Sequence, residues 1–164
     1  KELIITGVSA ITANDNRWSR CDIKAISLLP NVLLRQMASD SDATETLLLR
    51  DGFLSEGSAS SIFIVKNKIL LVPPKSNFTL PGITYDVVLE LVVKYQMPYE
   101  ITEISENDLH SSDEILLASS TKEIMPITFL DGKKVGSGKP GEVFAQLYQL
   151  YQDFKISIMR RESI

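Results

Sequence analysis

Two hydrophobic periods alternate along the chain, and their order predicts its elements. Lys1 to Ala13 is rich in apolar and β-branched residues and runs into the turn cluster Asn14-Asp15-Asn16, so it is predicted as a strand. Arg17 to Ile26 shows no period and is expected to be extended. From Leu28 to about Ser39 the residues Leu29, Val32, Leu33, Gln36 and Met37 fall at helical spacing, with Ser27 and Pro30 suited to a first turn. Strands follow over Glu45–Arg50, Ser60–Lys66 and Ile69–Val72, with Asp51-Gly52 and Asn67-Lys68 as turns.

Pro73 to Asn77 reads as a loop, and Leu80-Pro81-Gly82 leads into a helix from Ile83 to Tyr95 with Val87, Val88, Leu91 and Val92 on its apolar face. A strand at Tyr99–Ile104, a short helix or turn at Glu106–His110 and strands at Glu114–Ala118 and Ile127–Leu130 come next. A last helix, from about Gly141 to Phe154, buries Phe144, Leu147, Tyr148 and Tyr151, and the tail after Lys155 is expected to be dispensable. Strand runs broken by three separated helices predict an α+β domain and not a doubly wound sheet.

Composition narrows the chemistry. The 164 residues suit one domain with a real core, and 44% hydrophobic with 23% charged residues is an ordinary soluble mixture. With a net charge of −4 and basic residues scattered, apart from the pairs Lys133-Lys134 and Arg160-Arg161, no nucleic-acid surface is expected. The single cysteine, Cys21, excludes an internal disulfide and points to a reducing, cytoplasmic setting. One His and one Cys cannot build the usual zinc clusters, so no metal is expected. His110 lies in a polar, turn-rich stretch and is expected to face solvent. No apolar run reaches the roughly 18–20 residues that span a bilayer, so no membrane partner is expected. The chain opens at Lys1, without Met, directly into an apolar run, and so reads as the continuation of a missing N-terminal portion.

Four segments carry candidate chemistry. Lys24 lies between Ile23 and Ile26 in a stretch that reads as interior. It is either a solvated residue of an edge strand or a lysine desolvated so that a neutral amine can attack an aldehyde, and the segment leaves both open. Glu56-Gly57-Ser58-Ala59-Ser60-Ser61 packs a carboxylate among small residues between strands, a pattern that also fits a plain hairpin loop. Gly82-Ile83-Thr84 starts a helix, whose free N–H groups and positive dipole end suit an anion. Ala118-Ser119-Ser120-Thr121 places three hydroxyls at a strand end, as a second anion cradle or simply a turn cap. Together these are the groups pyridoxal 5'-phosphate (PLP) needs: an amine for its aldehyde, an acid for its pyridine nitrogen, and N–H and O–H donors for its phosphate.

The stretch Arg17-Trp18-Ser19-Arg20-Cys21-Asp22-Ile23-Lys24 resembles the lysine motif of the D-amino-acid aminotransferases, within the class-IV (fold type IV) PLP enzymes. Leu54 to Phe63 resembles their glutamate loop, and Leu80 to Val88 and Ser119 to Ile124 resemble their two phosphate loops. The four motifs stand in family order, and the similarity runs to about Lys155. One departure is Ser61, where many relatives carry Asn; it bears on the shape of the loop and leaves Glu56 in place.

The resemblance implies the large, PLP-binding domain of such an enzyme, a strand-rich sheet or pseudo-barrel flanked by helices, over 1–155 with a tail at 156–164. It implies that Lys24 bonds to the cofactor and moves a proton, that Glu56 partners the pyridine nitrogen and that Arg17 steadies Glu56. It further implies that Ile83 and Thr84, after Gly82, hold the phosphate with Ser120 and Thr121, and that Leu80 lies against the ring. The expected activity is amino transfer between a D-amino acid, such as D-alanine, and a 2-oxo acid in a homodimer. Family members carry a smaller N-terminal domain that supplies much of the substrate pocket and is absent from this sequence, so the chain alone is expected to be inactive. Aminodeoxychorismate lyase, branched-chain aminotransferase and a non-catalytic fragment are the alternatives.

Overall fold

The computed structural model describes residues 2–159. In chain order the elements are α1 (Glu2–Thr6), β1 (Val8–Asn14), α2 (Leu29–Asp40), β2 (Glu45–Arg50), β3 (Phe53–Gly57), β4 (Ser61–Lys66), β5 (Ile69–Val72), α3 (Ile83–Lys94), β6 (Tyr99–Ile101), α4 (Glu106–His110), β7 (Glu114–Ser119), β8 (Glu123–Leu130), β9 (Lys133–Lys134) and α5 (Glu142–Met159). The strands form one mixed sheet in the order β3-β2-β1-β8-β7-β4-β5-β6, with β9 on β8. β1 runs parallel to both β2 and β8, whereas β7 is antiparallel to β4 and β8.

The pairing order dictates the shape. β3 and β4 are joined by the turn around Ser58-Ala59-Ser60, yet β2, β1, β8 and β7 lie between them in the sheet. So short a link can join them only if the sheet curls back on itself as an open half-barrel. This is the α+β, strand-rich architecture expected from the sequence.

Two apolar clusters hold it. Inside the curl, Leu47, Ile62, Ile64, Ile115 and Leu117 pack with Ile104 and Leu109. On the outer face Phe63, Val65 and Leu116 pack against Val88, Leu91 and Val92 of α3 and Phe144 and Leu147 of α5. Each fully buried side chain of this kind contributes about 1.5–3 kcal/mol. β2 is buried on both faces, which is why Thr46 to Leu49 shows little alternation. α5 starts on a fixed acceptor: the Glu114 carboxylate receives the N–H groups of Val143 and Phe144 at 3.0 and 2.8 Å, a charge suited to a helix N-terminus.

Several expectations need correction. The predicted strand from Lys1 begins only at Val8, because residues 2–6 form α1; Lys1 lies outside the described residues. Gly7 separates the two with a φ of +77°, and a Cβ there would stand 2.3 Å from Thr128, so this junction requires glycine. Residues 17–26 are turns and irregular backbone and not an extended strand. β3 is an unpredicted strand, since Glu56 and Gly57 end it where the sequence suggests a loop. β6 stops at Ile101, and β8 starts at Glu123, four residues before the expected Ile127. α5 passes the expected end at Phe154 and crosses the 155/156 boundary to Met159. α2 has the predicted span, but it buries Leu34 and Ala38 while Leu29, Val32, Leu33 and Met37 are exposed.

Candidate active site

The site forms at one end of the curl, where four connections meet around a cleft of about 460 Å³, a size typical of small-molecule sites. β1 ends at Asn14, and the chain turns through Asp15 to Arg17, whose guanidinium is buried with all three nitrogens hydrogen-bonded. Arg17 Nε and Nη2 donate to the two Asp15 oxygens at 2.9 Å each, and Nη1 donates to Glu56 Oε1 at 2.5 Å. Nη2 also donates to the Phe78 carbonyl at 3.0 Å. Asp15 accepts a further hydrogen bond from Ser55 Oγ at 3.0 Å, and Arg50 Nη2 lies 3.3 Å from it.

β3 carries Glu56 to the same place. Its Oε1 is held by Arg17 and its Oε2 accepts the Leu80 N–H at 3.1 Å. A carboxylate offers about four lone-pair sites, so Glu56 retains acceptor capacity on the cleft it lines. Burial pushes the Glu56 carboxyl above its ordinary pKa and outweighs the hydrogen bond from Arg17. Burial acts in the same direction on Asp15, but there the hydrogen bonds and charge of Arg17 win and its pKa is lowered. Burial disfavours the Arg17 charge, yet Asp15 and Glu56 together hold its pKa above the usual value.

Lys24 lines the cleft from the irregular segment after Cys21. It is exposed and makes no hydrogen bond or ion pair among the described residues. Ile23 and Ile26 are 45% and 98% exposed, so the segment is neither interior nor an edge strand. Cys21 is buried beside it, its Sγ donating to the Trp18 carbonyl at 3.1 Å, and burial pushes the thiol pKa up.

α3 begins at Gly82 with no side-chain cap, so the N–H groups of its first turn remain available to an anion in the cleft that Gly82, Ile83 and Thr84 line. Thr84 is buried at the start of α3. Ser120 and Thr121 occupy the tight turn between β7 and β8, steadied by the Lys122 N–H donating to Ser119 Oγ at 3.1 Å. All nine residues singled out in the sequence, Arg17, Lys24, Glu56, Leu80, Gly82, Ile83, Thr84, Ser120 and Thr121, line this one cleft. His110 does not; it ends α4 with Nε2 3.7 Å from Asp131.

Sequence reasoning missed four charged residues here. Asp15 was hidden in a turn cluster, although an acid two residues before Arg17, the expected support of Glu56, was a usable signal. Arg35 lines the cleft from the solvent side of α2. Glu45 and Lys122 carried no local signal, since their pairing joins residues far apart in sequence.

A curled α+β domain that gathers an unpaired amine, a buried carboxylate and a helix start around one cleft is laid out to bind a small molecule. The chain belongs to the amino-transferase class IV family, whose model matches residues 4–130. It is similar to the D-alanine aminotransferase of Bacillus licheniformis, with 38% identity over 151 residues covering 92% of this chain and 53% of the relative. The D-alanine aminotransferase of Listeria innocua is 40% identical over 147 residues, covering 90% and 51%. Among solved structures, the branched-chain amino acid aminotransferase of Thermobaculum terrenum in its PLP form superposes with a TM-score of 0.80 at 24% identity, covering 90% of this chain and 50% of that one. That of Escherichia coli gives 0.78 at 27% identity, covering 89% and 51%. The chain spans about half the length of the curated relatives it matches.

Proposed function

We propose that this chain serves a PLP-dependent transaminase that moves an amino group between a D-amino acid, such as D-alanine, and a 2-oxo acid. The observation that carries the reading is the convergence of an unpaired Lys24 amine and the Arg17-held Glu56 carboxylate on one cleft with an uncapped helix start. The residues present fit the cofactor: amine, carboxylate with spare acceptor capacity, N–H groups and hydroxyls are the donor set it requires. When bound, PLP supplies an aldehyde that captures amines and a ring that takes up electrons from the neighbouring carbon.

Lys24 would provide the amine that holds the cofactor, and the same amine, when free, would serve as the proton carrier. Glu56, kept basic by burial and fixed by Arg17, would accept the pyridine N–H of the cofactor and favour its protonated form. The first turn of α3, the Thr84 hydroxyl and Ser120 with Thr121, all on the cleft, would hold the phosphate, and Leu80 would lie against the ring. The named relatives support D-alanine as donor. The branched-chain amino acid aminotransferase of Escherichia coli, a structural neighbour, favours a second reading, transfer from branched-chain amino acids.

The exposed apolar strip of Leu29, Val32, Leu33 and Met37 supports a homodimer completed by the part of the relatives' length that this chain does not span. No helix among the described residues is long and apolar enough to cross a membrane, and the lone Cys21 fits a cytoplasmic setting. The natural protein is to be incubated with PLP, D-alanine and 2-oxoglutarate, with L-leucine in place of D-alanine in parallel. The reading predicts pyruvate and glutamate in equal amounts from D-alanine. Pyruvate released from aminodeoxychorismate, with no keto-acid amination from either amino acid, would overturn it in favour of a lyase.

A further inference from the structure

Glu45 opens β2 at 1% exposure, a buried carboxylate that none of the roles above uses. Its Oε1 accepts the Thr46 N–H at 2.9 Å, the Ser58 N–H at 3.1 Å and the Ser58 hydroxyl, and its Oε2 accepts the Ser60 hydroxyl at 2.8 Å. The turn bearing these serines is pressed onto it. A Cβ on Gly57 would stand 2.3 Å from Ser60 Oγ and 3.2 Å from the Glu45 carboxyl carbon. From the other side Lys122 Nζ lies 3.9 Å from Oε2 and donates to the Thr44 carbonyl at 3.3 Å. Lys122 belongs to the turn that carries Ser120 and Thr121. Burial lowers the Lys122 pKa, attraction to Glu45 opposes that shift, and Arg35 adds to it.

A buried carboxylate is tolerated only when it is both hydrogen-bonded and paired. Here the hydroxyl donors come from one cleft turn and the counter-charge from another, so neither turn moves without stranding a group that the other serves. Glu45 and Lys122 do not themselves line the cleft. We propose that they are a positioning couple that locks the turn at 57–60 to the turn at 119–122, so that two walls of the cleft hold one geometry. The consequence for cofactor affinity rests on the reading of the cleft given above; the coupling itself does not.

The test compares Glu45→Gln, Lys122→Met, Lys122→Arg and the double variant E45Q/K122M in the natural protein. Amide hydrogen exchange is followed without added ligand. Lys122→Met should speed exchange in 57–61 about tenfold, as well as in its own turn, as expected for residues sharing one network. Glu45→Gln should do the same to 119–122, the double variant should exceed neither single one, and Lys122→Arg should restore parental protection. PLP titration should then show the apparent Kd raised about tenfold in Glu45→Gln and in Lys122→Met but not in Lys122→Arg, with the covalent lysine–cofactor absorbance unchanged at saturation. Loosening confined to 119–122 in Lys122→Met, with 57–61 as in the parent, overturns the proposal, as does a Lys122→Arg variant that behaves like Lys122→Met. If Lys122→Met does not fold, the effect of Glu45→Gln on 119–122 decides. A parent that forms no covalent band sinks the cofactor reading, while the exchange data still decide the coupling.

Discussion

Replacing Arg17 by methionine keeps much of its volume and removes a buried charge from between two carboxylates. Four side-chain hydrogen bonds disappear: two to Asp15, one to Glu56 and one to the Phe78 carbonyl. Asp15 and Glu56 are left buried with like charge, a situation that costs about 3–5 kcal/mol when one partner of a buried pair is lost. Arg50, 3.3 Å from Asp15, still offers a counter-charge, which places the loss near about 3 kcal/mol. A domain holds about 5–15 kcal/mol in all, so Arg17→Met should fold and be clearly weakened. With a urea slope of about 2 kcal/mol per molar, the midpoint at pH 7 should fall by about 1.5 M. The pH dependence identifies the cause. Burial already raises the folded pKa of Glu56 above its unfolded value of about 4.3, and removing Arg17 raises it further. The folded state then binds the extra proton, so the variant should be least stable at neutral pH and recover as pH falls through the folded Glu56 value. R17M/E56Q should recover part of the loss at pH 7. Urea titrations by circular dichroism check all three. A midpoint within about 0.3 M of the parent, or a loss that ignores both pH and Glu56→Gln, would refute the reasoning.

Three further expectations follow from the same geometry. Asp15 has a depressed folded pKa, so its contribution is present above its unfolded value of about 3.9 and lost as pH falls through the lower folded one. Asp15→Asn should flatten that acid limb in urea titrations below pH 4, and an unchanged limb would count against the assignment. Cys21 is buried with a raised pKa, so iodoacetamide at pH 8 should label the native chain at least about tenfold more slowly than the urea-unfolded one, as followed by mass. Lys24 is exposed and unpaired among the described residues, so Lys24→Ala should leave the Tm within about 2 °C, and a larger drop would mean that it has a structural partner.

The sequence made the elements legible where side-chain periodicity met a buried face. α3 and α5 were predicted with their buried residues nearly in place, because Val88, Leu91, Phe144 and Leu147 fall on one stripe each. Periodicity failed where packing or glycine geometry overrode it. The apolar run before Val8 was β-rich in composition, but Gly7 with positive φ permits a helix end there. The stripe of α2 predicted the helix but not its orientation, since Leu29, Val32 and Leu33 are exposed and the buried contacts fall to Leu34 and Ala38. The site was legible as a set of residue types, and the fold gathers all nine at one cleft. Arg17 beside Glu56 was implied by the resemblance, but the Glu45–Lys122 contact was not legible, because it exists only once distant strands pair.

The central claim is that Lys24 is the amine that captures the cofactor. It is tested most directly by treating the natural protein with PLP and borohydride and mapping the adduct by peptide mass spectrometry. The account predicts one reduced adduct, on the peptide containing Lys24, and none in Lys24→Ala. An adduct on another lysine that persists in Lys24→Ala would contradict it.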